Sequence, residues 1–305
     1  MHTFDLTGPL PATTTLLEAS AGTGKTFAIA AMATRFLAER PDLDVTQLLM
    51  ITFGRHAAGE LRDRVFSRLK ETLAYLDARA AGLPPAKQTD DVSEFLAAPD
   101  LEERRARLAA AVERFNEATI VTTHAFCASM LRELGVLGDW DPDEGVGPDD
   151  RDLARQCATD VYLRLYRDTE KPPLEAKVAL EVGEAACLTS LPLLPADGPR
   201  HDFAALTREL YAERKAVLGI CSFDDVVHRL RDLLGDPAVG PLVRDRLRER
   251  FPVVLVDEFQ DTDPPQWEVL DAAFVAPDRP TVLIGDPKQS IYGFRGADLG
   301  SYLRA

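Results

Sequence analysis

The stretch TLLEASAGTGKTFAIAAMATRFLAE, residues 15–39, decides the fold. Its first five residues, TLLEA, read as a short buried strand. A glycine-rich turn follows, and from Phe27 to Glu39 apolar residues recur at helical spacing until Pro41 stops them. A strand, a glycine-rich turn and a helix opening on Lys-Thr is the context in which backbone N–H groups converge on a phosphate, reinforced by the helix dipole. In this reading Ala19, Ser20, Ala21, Gly22, Thr23, Gly24, Lys25 and Thr26 cradle a nucleotide triphosphate. Gly22 and Gly24 permit close backbone approach, Lys25 reaches the β- and γ-phosphates, and Thr26 offers its hydroxyl to Mg²⁺. Ala19 stands where the usual pattern has glycine. The competing reading is a helix-start turn that happens to contain GxGKT.

Working outward, residues 47–53 (QLLMITF) predict a second strand and residues 55–79 a charged helix. Residues 82–99 read as a loop, 100–116 as a helix, 118–123 (ATIVTT) as a third strand, and another helix starts near His124. The acidic, turn-rich stretch 138–150 reads as a linker. Residues 151–249 are almost wholly helical in pattern, with breaks at Pro172-Pro173, at 190–199 and at Gly235. Apolar strands return at 252–258 (PVVLVDE) and 280–286 (PTVLIGD). Alternating strands and helices indicate an α/β fold with a parallel sheet. Because the sheet pattern occurs at both ends, the economical expectation is one domain, 1–135 with 216–305, carrying a helical insertion over 136–215.

The end of the fourth strand, VVLVDEFQDTD at 253–263, sets two carboxylates beyond an apolar run. A phosphate-loop ATPase needs its second metal-binding group there. Asp257 is the candidate for holding Mg²⁺, and Glu258 the candidate for orienting and deprotonating the attacking water. The alternative is a charged strand exit, with Asp261 capping the next helix. After the fifth strand, LIGDPKQSIYGFRGAD at 283–298 brings Gln289 to where a γ-phosphate would lie, followed by Tyr292, Phe294 and Arg295. Aromatic rings beside a cation stack bases and meet phosphate; the alternative for the two rings is the core.

Composition sets outer bounds. The 305 residues are 46% hydrophobic, and 35 basic against 50 acidic side chains give a net charge of −15. That disfavours nonspecific binding of DNA or anionic membrane by the whole surface, while leaving room for a local basic groove. The four cysteines form no CxxC pair, which disfavours a zinc site and a disulfide framework and points to a reducing, cytoplasmic setting. No apolar run approaches 18 residues and the N-terminus lacks a secretory pattern, so no membrane association is expected.

Taken together, LLEASAGTGKTFAIA, VDEFQDTDPPQW and LIGDPKQSIYGFRGAD resemble the UvrD-like group of superfamily 1 DNA helicases, and within it the RecB-like beta subunits of exodeoxyribonuclease V. The resemblance implies a RecA-like P-loop NTPase domain using ATP and Mg²⁺. It also implies 3′-to-5′ movement on single-stranded DNA, unwinding from duplex ends in double-strand break repair, and partners like RecC and RecD. Ala19 in place of glycine is common in the group. ITFGRHAAGELRDRV at 51–65 resembles a segment contacting single-stranded DNA, with Thr52, Phe53 and Arg62 at the matching positions. TTHAFC at 122–127 resembles the next such segment, with Thr123 and His124 in place, and Tyr292 and Phe294 complete the DNA-contact set. The alternatives are a solvated helix face for Arg62 and a helix-start histidine in a satisfied hydrogen bond for His124.

Two departures from the family pattern qualify these expectations. No Gln precedes Gln47, so the glutamine that reads adenine in such helicases has no counterpart and base specificity stays open. The sequence also stops at Ala305, just after the third ATPase motif, where the family continues into a second motor domain bearing arginine fingers. A finger is worth roughly 10³–10⁵ in rate, so the expectation for this chain alone is slow ATP hydrolysis without unwinding. The alternatives are a nucleotide-binding interaction module without motor activity and, more remotely, a phosphate-loop kinase.

Overall fold

The computed structural model describes residues 4–19, 24–84, 90–135, 151–189 and 192–289. The chain divides into two compact units, one of residues 1–127 with 230–305 and one of residues 128–229.

The first unit is built on five short strands, β1 (Thr15–Glu18), β2 (Leu48–Thr52), β3 (Thr119–Thr122), β4 (Val253–Val256) and β5 (Thr281–Gly285). They form one sheet in the order β1-β5-β4-β2-β3, every pair parallel. Apart from the two edge strands the sheet is buried throughout, which explains why β2, β4 and β5 read as continuous apolar runs. Strand alternation sends Leu48, Met50, Val253, Leu255, Val282 and Ile284 to one face. There they join a core with α1 (Lys25–Glu39), α2 (Arg55–Ala80) and α4 (Leu101–Glu113). Leu49, Ile51, Val254, Val256 and Leu283 alternate to the other face and are equally buried. Phe126, Phe251 and Phe274, whose rings meet at centroid distances of 6.2 and 5.8 Å, add a second aromatic core in this unit.

Helix α1 follows Gly24, which adopts φ 92, a left-handed conformation open to glycine at little cost. It ends where Arg40 turns extended before Pro41. Ten consecutive residues, from Ile29 to Ala38, are buried, Arg35 among them at 2% exposure. Arg35 donates to both carboxylate oxygens of Glu39, at 2.6 and 3.2 Å, and to the carbonyls of Leu6 and Gly8, each at 2.7 Å. Its guanidinium also lies 4.6 Å from the Phe95 ring centroid.

The stretch 82–99, expected as a loop, contains a short helix instead, α3 (Asp91–Leu96). Asp90 caps it by accepting from the Ser93 N–H at 2.9 Å, while Arg68, buried on α2, grips the same carboxylate. Val92 and Leu96 enter the main core. The helix is held by a partner 22 residues away, which local composition does not disclose. The expected linker at 138–150 lies outside the described residues.

The second unit contains α6 (Arg151–Tyr166), α7 (Ala176–Cys187) and α8 (Pro199–Leu218), packed on one another. Gly183 lets them approach: a Cβ there would stand 2.8 Å from the Ala158 Cβ and 3.0 Å from the Phe203 ring. Helix α5 (Thr123–Leu134) and helix α9 (Phe223–Gly235) hold the points where the chain passes from one unit to the other, and α10 (Gly240–Arg250) and α11 (Pro264–Phe274) complete the set. Among the described residues no helix is long and apolar enough to cross a membrane.

Candidate nucleotide and metal site

The carboxyl ends of β1, β4 and β5 bring the charged motifs together. The Ala19 N–H donates to the Gly285 carbonyl at 3.1 Å, so the segment entering the glycine-rich turn is still tied to β5. Ser20, Ala21, Gly22 and Thr23 lie outside the described residues. Lys25 begins α1 immediately after Gly24, and its side chain is only 10% exposed. Its Nζ donates to Glu258 Oε2 at 2.9 Å and to Gln289 Oε1 at 3.3 Å. Three side chains separated by 233 and 264 residues thus share one ammonium group. Thr26 follows in the first turn, half-buried.

Beyond β4 the backbone fixes the carboxylates. The Asp257 N–H continues the ladder to the Ile51 carbonyl at 2.8 Å, and Asp257 Oδ1 accepts from the Glu258 N–H at 3.0 Å. Glu258 then adopts φ 53, a conformation uncommon outside glycine and asparagine, and a single 3₁₀ turn over Phe259–Asp261 follows. Burial, reinforced by the neighbouring Glu258, pushes both Asp257 and Asp261 up to about 6, although Lys25 pulls in the opposite direction on each. Asp261 does not cap the next helix; Asp263 does, accepting from the Gln266 N–H at 2.8 Å. Among the described residues, Asp261 Oδ1 is buried without a hydrogen-bond partner.

This donor set fits Mg²⁺ with a triphosphate. Burial and the Glu258 charge hold two carboxyls above their ordinary range, and the Lys25 ammonium is shared between Glu258 and Gln289. Mg²⁺ needs only one or two protein carboxylates or hydroxyls when phosphates and water supply the rest. Asp257 and Thr26 are the groups that would hold the ion.

The elevated Asp261 has a consequence for stability. Its folded-state value of about 6 exceeds the ordinary 3.8, so between about pH 4 and 6 the folded protein binds more protons than the unfolded chain. The contribution of Asp261 to stability therefore falls as pH rises through that window, and the loss persists at neutral pH. Asp261→Asn is expected to raise the thermal midpoint at pH 7.5 and to flatten the slope between pH 4 and 6. An unchanged midpoint and slope would refute the assignment.

Four of the residues expected to meet DNA, Thr52, Phe53, Thr123 and His124, lie at or just past the ends of the neighbouring strands β2 and β3, and Arg62 lies on α2. Thr52 ends β2 and is paired in register with Thr122, the last residue of β3. Thr52 is 1% exposed and, among the described residues, its hydroxyl lacks a hydrogen-bond partner; Thr123 is 5% exposed. Neither side chain lies on the surface, whereas their neighbours Phe53 and His124 are half-buried. Arg62 spends one N–H on the Ala118 carbonyl at 2.9 Å, with its guanidinium 5.9 Å from the Phe115 ring centroid, so part of its role is to fasten α2 beside β3. Tyr292, Phe294 and Arg295 lie outside the described residues.

The family model of the UvrD/REP helicase N-terminal domain matches residues 7–305. The chain belongs to that family. This UvrD/REP helicase domain is 43% identical, over its whole length, to the RecBCD enzyme subunit RecB of Mycolicibacterium smegmatis, and 44% identical to that of Mycobacterium tuberculosis H37Rv. It spans 28% of the length of each. The RecBCD enzyme subunit RecB of Escherichia coli K12 matches 95% of the chain at 26% identity, over 35% of its own length. The five-stranded parallel sheet of this helicase domain is accordingly RecA-like.

Two residues of the helicase domain's site were missed by sequence reading. Gln260 donates its Nε2 to Glu258 Oε2 at 2.6 Å and accepts the Asp286 N–H on Oε1 at 2.9 Å. Asp286 accepts from Gln289 Nε2 at 2.6 Å and from the Lys288 N–H at 3.0 Å. The available signal was a polar residue close behind a buried apolar one: Gln260 follows Phe259, and Asp286 follows the buried strand β5. A Gln two residues past an acidic strand end is short of solvent and must find partners within the protein.

Proposed function

We propose that the chain is the ATP-hydrolysing motor portion of a RecB-like DNA helicase, with the unit of 1–127 and 230–305 as the motor and the helical unit as its insertion. The observation that carries this reading is the convergence of Lys25, Glu258 and Gln289 on one ammonium at the carboxyl edge of a parallel sheet. Lys25 binds the β- and γ-phosphates in place of its present carboxylate and amide partners. Thr26 and Asp257 would hold Mg²⁺, whose chemistry there would be to neutralise charge on the phosphate oxygens. Glu258 orients a water molecule and takes its proton as the water oxygen bonds to the γ-phosphorus. The bond to the ADP oxygen breaks, giving ADP and phosphate. Gln289 meets the γ-phosphate from β5 and reports its loss.

Phe53 and His124, at the ends of the adjacent strands β2 and β3, are the groups placed to meet single-stranded DNA, with Thr52, Arg62 and Thr123 supporting them. Tyr292 and Phe294 supply base stacking in this reading, and Arg295 a phosphate contact. Movement from 3′ to 5′, entry at duplex ends, work in double-strand break repair and assembly with RecC- and RecD-like subunits rest on the relatives' names and the family resemblance.

ATP turnover by the purified chain, measured with and without single-stranded DNA, tests this function. Mg²⁺-dependent hydrolysis that rises on adding the strand is the expected result. Nucleotide binding without any turnover, together with retained partner binding, would favour an interaction module instead.

A further inference from the structure

Five hydrogen bonds close a ring. Lys25 Nζ donates to Glu258 Oε2 and Gln289 Oε1, Gln260 Nε2 donates to Glu258 Oε2, the Asp286 N–H donates to Gln260 Oε1, and Gln289 Nε2 donates to Asp286 Oδ2. We infer that Gln260 is a positioning residue for hydrolysis, anchoring the Glu258 carboxylate to the backbone of the segment after β5. The inference rests on the proposed role of Glu258 and adds to it a residue that does not itself touch the reacting atoms.

The argument starts from the chemistry of the amide. A backbone N–H can only donate, so the oxygen of Gln260 faces Asp286 and its NH₂ faces Glu258; the amide orientation is not a free choice. Gln260 is 4% exposed, and the Asp286 N–H it accepts is buried as well, so this end is a fixed point. Glu258 Oε2 therefore takes two donors, one from Lys25 and one from Gln260. Among the described residues Oε1 accepts no hydrogen bond, and the side chain is 33% exposed. One oxygen is anchored while the other has no donor among the described residues, the disposition a base needs to receive a proton from a positioned water.

The two anchors are not equivalent. A phosphate attracts Lys25, and as the ammonium turns towards it Glu258 loses that donor. Gln260 carries no charge and is fastened to the main chain, so it remains. Glu258 is then held by the link to Asp286, and Asp286 also holds Gln289. Gln260 accordingly ties the hydrolytic carboxylate and the phosphate-facing glutamine to one short backbone segment.

The test compares Gln260→Met, Gln260→Glu, Glu258→Gln and the double variant Gln260→Met/Glu258→Gln in the intact chain. Methionine keeps the length and removes both bonds. Glutamate keeps the acceptor for the Asp286 N–H and replaces the donor by a carboxylate facing Glu258. Dissociation constants for a fluorescent ATP analogue, and single-turnover hydrolysis of ATP by excess protein with Mg²⁺, separate binding from chemistry. Both single Gln260 variants are expected to bind nucleotide within about threefold of wild type. Displacing a reacting group by about 1 Å costs on the order of 100-fold, and a loss of about 10- to 100-fold in the hydrolysis rate is expected for each.

In the Glu258→Gln background Gln260→Met should add nothing, because its effect passes through Glu258. Hydrogen exchange at the Asp286 amide, read without nucleotide, should quicken in Gln260→Met and stay slow in Gln260→Glu and Glu258→Gln. If Glu258→Gln slows hydrolysis but the Gln260 variants do not, or if their losses add to that of Glu258→Gln, the inference fails and the proposed function stands. Glu258→Gln without effect, or a wild type that binds ATP and never hydrolyses it, overturns both.

Discussion

Lys25→Ala is expected to weaken Mg·ATP binding by roughly 100-fold, and Glu258→Gln to leave binding intact while slowing hydrolysis by about 10²–10⁴. The two effects separate because the two groups act at different moments. Lys25 is 10% exposed and supplies the ammonium around which the cluster is built, so its charge-assisted bonds are made to bound nucleotide and to the transition state alike. Glu258 takes a proton only as water attacks, so its loss falls on the chemical step. Equilibrium binding of a fluorescent nucleotide and single-turnover hydrolysis, run on the same preparations, distinguish the two. If Lys25→Ala retains wild-type affinity, the ammonium does not face phosphate and the convergence of the three motifs has another purpose. If Glu258→Gln hydrolyses ATP at the wild-type rate, the base lies elsewhere.

Arg35→Ala is expected to destabilise the chain by about 3–5 kcal/mol, the cost of removing one partner from a buried ion pair. The guanidinium is almost wholly enclosed, and its removal orphans the Glu39 carboxylate and the Leu6 and Gly8 carbonyls together. It also takes away one of the two guanidinium groups over Phe95, leaving Arg104. Arg35→Lys keeps the charge but cannot serve Glu39 through two nitrogens while reaching both carbonyls, so most of the loss should remain. Denaturant unfolding at pH 7.5 reads the difference. A cost below about 1 kcal/mol for Arg35→Ala would show that the segment before β1 is held by other means.

How much of this was legible in the sequence depended on the range of the interactions. Strands β2, β4 and β5 could be read from unbroken apolar runs because both faces of a parallel sheet are covered. Lys25, Asp257, Glu258 and Gln289 could be singled out because each motif is a local pattern. The meeting of Glu258 and Gln289 at the Lys25 ammonium depends on the strand order β1-β5-β4-β2-β3, which no local pattern encodes. The helical spacing of residues 27–39 says nothing of Arg35, because a segment nearly 30 residues upstream supplies the carbonyls that make its burial possible. Helix α3 was hidden for the same reason, since Arg68 fixes its capping residue from another helix. Gln260 went unnoticed because an amide between a carboxylate and an aspartate is unremarkable until one knows that the backbone N–H of residue 286 lies beside it.

The sheet order also bears on how the molecule is made. On the ribosome β1, β2 and β3 emerge first, yet β4 and β5 fill the interval between β1 and β2. The end of β3 at Thr122 and the start of β4 at Val253 are separated by about 130 residues, which at about 5–20 residues per second take on the order of 7–26 s to synthesise. Throughout that interval the nascent polypeptide displays β2, apolar at four of its five positions, with an unsatisfied edge. Translation speed across the intervening helices and chaperone occupancy of the early strands therefore govern the yield of native protein, and slowing codons placed before β4 should increase aggregation.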